Sequence, residues 1–209
     1  SDGLIYKFIP KNKNSLDDGD LYALKISKKD SRNWKSRDLI INQKFNIEWI
    51  RLEDIDPDSD TLRDEGTEKG ATIFARGEGI TQDGESIFIT CTSGGMLNKG
   101  QIWKLTPKSK KESTLELWFE VGKNDMLNMP DNLTVAPWGD LIVCEDNPDI
   151  DRLWGIKPNG ESYLIAENNY SRAELAGVCF NPQNNVLYLN IQQNGQTLAI
   201  DGDWNSVRS

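Results

Sequence analysis

The sequence contains no histidine. That removes histidine-based catalytic triads, histidine-ligated zinc and the most common general base, so any chemistry must rest on carboxylates, amides, hydroxyls or thiols. Cysteine is scarce. Cys91, Cys144 and Cys179 lie in apolar strand-like stretches without C-x-x-C spacing, and they are expected to be buried free thiols rather than a disulfide or a zinc site. There is no apolar run long enough to cross a membrane as a helix, and no basic-then-apolar leader. Positive charge is also in deficit: 24 Lys+Arg stand against 33 Asp+Glu, a formal net charge of −9. A nucleic-acid backbone or an anionic membrane surface is therefore not expected as a partner.

No long helical period is present either. Short runs rich in Val, Ile, Leu, Phe, Tyr and Trp recur between Gly, Asn, Asp and Pro clusters, the pattern of an all-β protein. Strands are expected at 4–9, 20–26, 80–82, 86–91, 101–105, 115–121, 133–135, 141–144, 153–156, 162–166, 178–180, 186–190 and 197–200.

These strands repeat. "GITQDGESIFITCTS" from Gly79, "NLTVAPWGDLIVCED" from Asn132 and "GVCFNPQNNVLYLNI" from Gly177 superpose without gaps. Each has an apolar strand, a polar turn and a second strand, and is followed by "QIWKLTP", "RLWGIKPNG" or "TLAIDGDW". A fourth strand, "LELWFEV" or "SYLIAEN", completes the first two copies. Four antiparallel strands at a period of about 40–50 residues describe a β-propeller blade. The expectation is one domain over 1–209: about three blades (76–122, 130–167 and 174–204) plus a remnant, 1–75, which is an irregular blade with a long polar insertion of some helical character. A closed ring usually takes four to eight blades.

In such a ring the innermost strands line a channel, and residues at their ends converge from distant parts of the chain. The superposition puts Glu78, Asp131 and Ala176 at one position, beside Gly79, Asn132 and Gly177. It puts Thr92, Glu145 and Asn190 at the far end of the second strand. Carboxylate and amide oxygens so arranged suit calcium, and carboxylates also accept a ferric ion. Glu78, Asp131, Asn132 and Glu145 are the candidate metal ligands, with Glu174 also within reach of the channel. Asp146 reads as turn chemistry, since an Asp can begin a turn by binding nearby backbone amides. In "DIDPDSDTLRDE", Asp54, Asp56, Asp58 and Glu65 match an EF-hand count, but Ser59 stands where glycine is required, and a solvated acidic loop is expected. "TSGG" is read as an inter-strand turn, and the seven Trp as packing.

Taken in order, "ARGEGI", "CTSGG…KGQIWKLTP", "PDNLTVAPWGDLIVCEDN", "ELAGVCFNP" and "LYLNIQQNGQTLAIDGDW" resemble the carboxy-terminal half of the PhoX family of alkaline phosphatases. The opening "SDGLIYKF" and "GDLYALKI" fit too. The resemblance implies a six-bladed propeller that hydrolyses phosphate monoesters with calcium and iron at the channel, exported to the periplasm or the extracellular space. It carries the metal role to Glu78, Glu145, Asp131, Asn132 and Glu174. On this reading the sequence is a piece of something longer, inactive or nearly so alone, and its exposed blade edges are expected to pair with another copy. Two other readings stay open: a calcium-dependent propeller lactonase or gluconolactonase-like enzyme, and a non-catalytic binding scaffold.

Overall fold

A computed structural model describes residues 2–108 and 112–208. The chain begins with β1 (Asp2–Gly3), β2 (Tyr6–Pro10) and β3 (Gly19–Lys25), followed by β4 (Lys44–Asn46), β5 (Glu48–Arg51), a short helix α1 (Leu62–Glu68) and β6 (Phe74–Ala75). Four strands come next: β7 (Gly77–Asp83), β8 (Ser86–Cys91), β9 (Gln101–Pro107) and β10 (Ser113–Glu120). A second set of four is β11 (Pro130–Val135), β12 (Leu141–Glu145), β13 (Arg152–Ile156) and β14 (Ser162–Glu167). The chain closes with β15 (Leu175–Phe180), β16 (Leu187–Ile191), β17 (Gln196–Ile200) and a helical turn, α2 (Trp204–Arg208).

The protein is all-β. The strands form antiparallel sheets ordered β2-β3-β5, β4-β10-β9-β8-β7, β11-β12-β13-β14 and β15-β16-β17, with β1 paired to β6. All thirteen expected strands are present, each within a few residues of its expected ends. The 27–73 stretch is less separate than its polarity suggests. Its β4 adds to the outer edge of β10, and its β5 pairs with β3, while its helical character amounts to α1.

The two middle sheets, β7–β10 and β11–β14, are apolar on both faces because each is covered on both. Middle strands show this most clearly: every residue of β12, "LIVCE", is buried, and most of β8 and β9 are. One apolar layer joins Leu24, Phe45, Phe74, Trp103, Leu115 and Leu117. A second lies between the β7–β10 and β11–β14 sheets and holds Phe88, Ile102, Leu133, Val143 and Trp154. A third, with Ile142, Leu153, Leu175, Val178 and Leu189, joins the β11–β14 sheet to β15–β17. Burying one such side chain contributes about 1.5–3 kcal/mol, so a single sheet gains most of its stability from its neighbours.

The stacking brings the first strands side by side, with β11 packed against β7 on one side and β15 on the other. Cys91 and Cys144 are buried as expected, but Cys179 is exposed. Strand alternation explains it: Val178 and Phe180 face the β11–β14 sheet, so Cys179 points to the opposite face. The acidic 54–65 loop runs into α1, where the Glu65 carboxylate accepts from the Glu53 amide at 2.7 Å and from Lys69 Nζ at 2.7 Å. In the TSGG turn, the Gly94 and Gly95 amides donate to the carbonyls of Cys91 and Arg32, so they are committed to the backbone.

Candidate active-site cluster

The three neighbouring first strands share one irregularity. In β7, Gly77 pairs with Cys91 and Ile80 with Ile89, leaving Glu78 and Gly79 opposite Thr90 alone. In β11, Pro130 pairs with Glu145 and Leu133 with Val143, leaving Asp131 and Asn132 opposite Cys144. In β15, Ala176 pairs with Asn190 and Cys179 with Tyr188, leaving Gly177 and Val178 opposite Leu189. Each is a β-bulge, which locally re-aims side chains.

This pairing corrects the gapless superposition in two places. Asp131 corresponds to Gly177 rather than Ala176, and Glu145 to Cys91 rather than Thr92. The loop from Leu133 to Val143 is one residue longer than the loop from Ile80 to Ile89, which shifts the second strand by one position.

At the bulge end the charges gather. Arg76, immediately before β7, has left-handed backbone (φ 49°) and is anchored by its carbonyl, which accepts from the Thr92 amide at 3.0 Å. Its Nε donates to Glu78 Oε1 at 3.0 Å, and its Nη2 donates to the Asp146 carboxylate. Asp131 is held well above the usual range, at about 6, first by burial and then by the charges of Glu78, Glu174 and Asp146, with Arg76 opposing. Glu174 is likewise raised by burial and by Asp146, Asp151 and Glu78. Asp151 is buried and raised by that burial, while its Oδ1 accepts from the Asn147 amide at 2.6 Å. Five carboxylates from several elements thus act on one another, and four of them, all but Asp151, also interact with the Arg76 guanidinium.

Asn132 and Glu145 have other partners. Asn132 Oδ1 accepts from the Val178 amide at 3.0 Å and ties β11 to β15. Glu145 is fully buried, and its Oε1 accepts from the Asn128 amide at 2.7 Å and from Trp154 Nε1 at 2.8 Å. Its Oε2 has no hydrogen-bond partner and lies 3.6 Å from Arg152 Nη1. Burial pushes this carboxyl up to about 7. The structure therefore brings Glu78, Asp131 and Glu174 into one cluster and engages Asn132 and Glu145 in packing bonds.

Arg76, Asp146 and Asp151 belong to the cluster without having been singled out as ligands. Arg76 stood in the "ARGEG" motif, but its left-handed turn toward Asp146, 70 residues away, has no local signal. Asp146 does not sit in a turn: it directly follows β12, its amide donates to the Met129 carbonyl at 3.0 Å and so extends the β11–β12 pairing, and its carboxylate accepts from Arg76.

The donor set is all oxygen, which suits a hard cation. Its geometry is open: among the described residues, no three His, Cys, Asp or Glu side chains converge closely enough to hold a metal ion. The thiols do not extend it. Burial raises both Cys91, to about 12, and Cys144, which keeps them from the thiolate form that binds metals.

No curated protein matches the sequence. Among solved structures, one described as a streptogramin B lyase structure aligns over 98% of this chain and 75% of its own, at 13% identity and a TM-score of 0.43. The sequence pattern of the family described as alkaline phosphatase PhoX matches residues 1–195. With nearly the whole length matched, the chain belongs to the PhoX family of alkaline phosphatases.

Proposed function

We propose that this chain forms part of a metal-dependent phosphate monoester hydrolase, with its active site at the bulge end of β7, β11 and β15. The observation that carries the reading is the cluster itself: Glu78, Asp131, Asp146 and Glu174 around Arg76, and Asp151 acting on Asp146 and Glu174. The successive antiparallel sheets, stacked face to face with their first strands adjacent, support a propeller. On this reading β7–β10, β11–β14 and β15–β17 are blades, and the sheets before them the remnant, of a six-bladed ring whose channel the cluster faces.

At alkaline pH all five carboxylates are ionised, against a single guanidinium. A phosphate monoester dianion would be repelled by such a surface, so the site requires added positive charge. Calcium matches the oxygen donors, and Glu78, Asp131, Asp146 and Glu174 would hold it. A bound cation supplies charge neutralisation to the phosphoryl oxygens and activates an oxygen nucleophile. Iron rests on the family alone, because the buried thiols offer it no ligand. Arg76 contributes a planar fork of donors that matches a phosphoryl group, and its two carboxylate partners fix its direction. Asn132 holds two first strands in register, so that Asp131 keeps its place. An extracytoplasmic location and pairing of copies through exposed strand edges such as β17 accompany this reading.

Because no three ligands converge among the described residues, the 209-residue chain alone should turn over p-nitrophenyl phosphate slowly or not at all. The natural full-length product should hydrolyse it, lose activity to a calcium chelator, and lose at least a hundredfold in kcat/KM on Glu78→Gln or Asp131→Asn. A full-length product that opens lactones and leaves phosphate monoesters intact would overturn the proposal.

A further inference from the structure

The register of the β7–β10 sheet sets Gly77, Cys91, Gln101 and Glu120 in one row across four strands. At neighbour spacings of roughly 4.8 Å, Glu120 lies about 14 Å from Gly77, which stands between Arg76 and Glu78 of the acidic cluster, at the same end of the sheet. A cavity of about 430 Å³ opens there, between the 37–41 loop, the Met96–Leu97 turn and the end of β10. That volume falls within the range of about 300–1,000 Å³ typical of small-molecule sites.

Its lining is apolar and unusually exposed. Ile40 is 70% exposed, Ile41 49%, Met96 44% and Leu97 43%, while Leu39 and Val121 form the buried floor. The walls are fixed by specific bonds. Asn33 Nδ2 donates to Glu120 Oε2 at 3.1 Å, the Asn42 amide donates to the Leu117 carbonyl at 2.7 Å, and Trp34 Nε1 donates to the Ser93 carbonyl at 2.6 Å.

The charges around the cavity run against those of the chain. Its one lining carboxylate, Glu120, is buried and already accepts from Asn33, Gln101 Nε2 and the Met96 amide. Arg37 and Lys123 line the same cavity, both exposed, and among the described residues neither has a carboxylate partner. In a chain of net charge −9, two unpaired cations beside a preformed apolar cleft select for an anion with an apolar body.

We propose that this cavity binds a small anionic amphiphile: a single aliphatic chain or flat apolar body bearing one carboxylate or phosphate head. The body lies on Ile40, Ile41, Met96 and Leu97, and the head meets Arg37 and Lys123. The site is separate from the acidic cluster, and neither cation takes part in the proposed phosphatase chemistry.

Calorimetric titration of the 209-residue chain with decanoate, below its micellar concentration, tests this. One-to-one saturable binding is expected, weakened at least tenfold in the Arg37→Ser/Lys123→Ser double variant and also in Leu97→Asp. Both changes are at exposed positions, and circular dichroism verifies their fold. Decyltrimethylammonium should bind at least tenfold more weakly than decanoate, and inorganic phosphate should not compete. Equal binding of the cationic amphiphile, an unchanged double variant, or no saturable binding would each overturn the proposal. So would a concentration-dependent dimer, abolished by Leu97→Asp, that excludes decanoate. Loss of the phosphatase reading would leave these results unaffected.

Discussion

Gly79 of β7 lies directly against the main chain of Asp131 in β11: a Cβ placed on Gly79 would collide with the Asp131 carbonyl oxygen. Thr90 stitches the same contact, since its hydroxyl accepts from the Gly79 amide at 2.8 Å and donates to the Asp131 carbonyl at 2.6 Å. Gly79→Ala must push the two first strands apart, and overpacking of this kind costs about 1–3 kcal/mol. Urea unfolding of the variant checks the loss, and stability equal to wild type would show that the strands do not meet here.

Burial raises Glu145 to about 7 from an ordinary value of 4.5. Between those values the folded protein holds a proton that the unfolded chain releases, so this group's contribution to stability is present below 4.5 and lost as pH rises toward 7. Glu145→Gln keeps the acceptor for Asn128 and Trp154 and removes the titration. Its melting temperature relative to wild type should therefore rise as pH goes from 4.5 to 8, and a flat difference across that range would contradict the assignment.

Arg76 is the cation inside the carboxylate cluster. Arg76→Gln removes the opposing charge from Asp131, so its titration midpoint should move up from about 6 when followed by carboxyl carbon NMR. Calcium should bind the variant more tightly, while the full-length enzyme carrying it loses phosphate ester turnover by tenfold or more. If calcium affinity and turnover fell together, Arg76 would be acting as a structural support only.

Reaction with a thiol reagent distinguishes the cysteines. The folded protein should react at Cys179 alone, and denaturant should release Cys91 and Cys144 for reaction. Rapid modification of all three in the folded state would place the buried pair at the surface.

Strand positions were legible because apolar runs and turn residues are local properties, and the repeat made the sheets countable. β1, β4, β5 and β6 were missed. They are two to four residues long, and β4 has its partner in β10, about 70 residues later, which no local pattern announces. The cluster was half legible. Glu78, Asp131 and Glu174 followed from strand ends, but Asp146 and Arg76 depend on a long-range pair. Glu145 shows the opposite case: its place at a strand end suggested a ligand, and the Trp154 indole and Asn128 amide, both set by packing, claimed one of its oxygens.

Because each bulge offsets the two-residue alternation within a single strand, the site and the core below it can vary independently. The three sheets already carry different solutions, Glu78 in one, Asp131 in the next and Gly177 in the third. Substitution at this level changes how many donors stand at the bulge end of the three strands without shifting the phase of Leu133 or Phe180. The scaffold is thus open to evolving new ligand sets one sheet at a time, with little penalty to its folding.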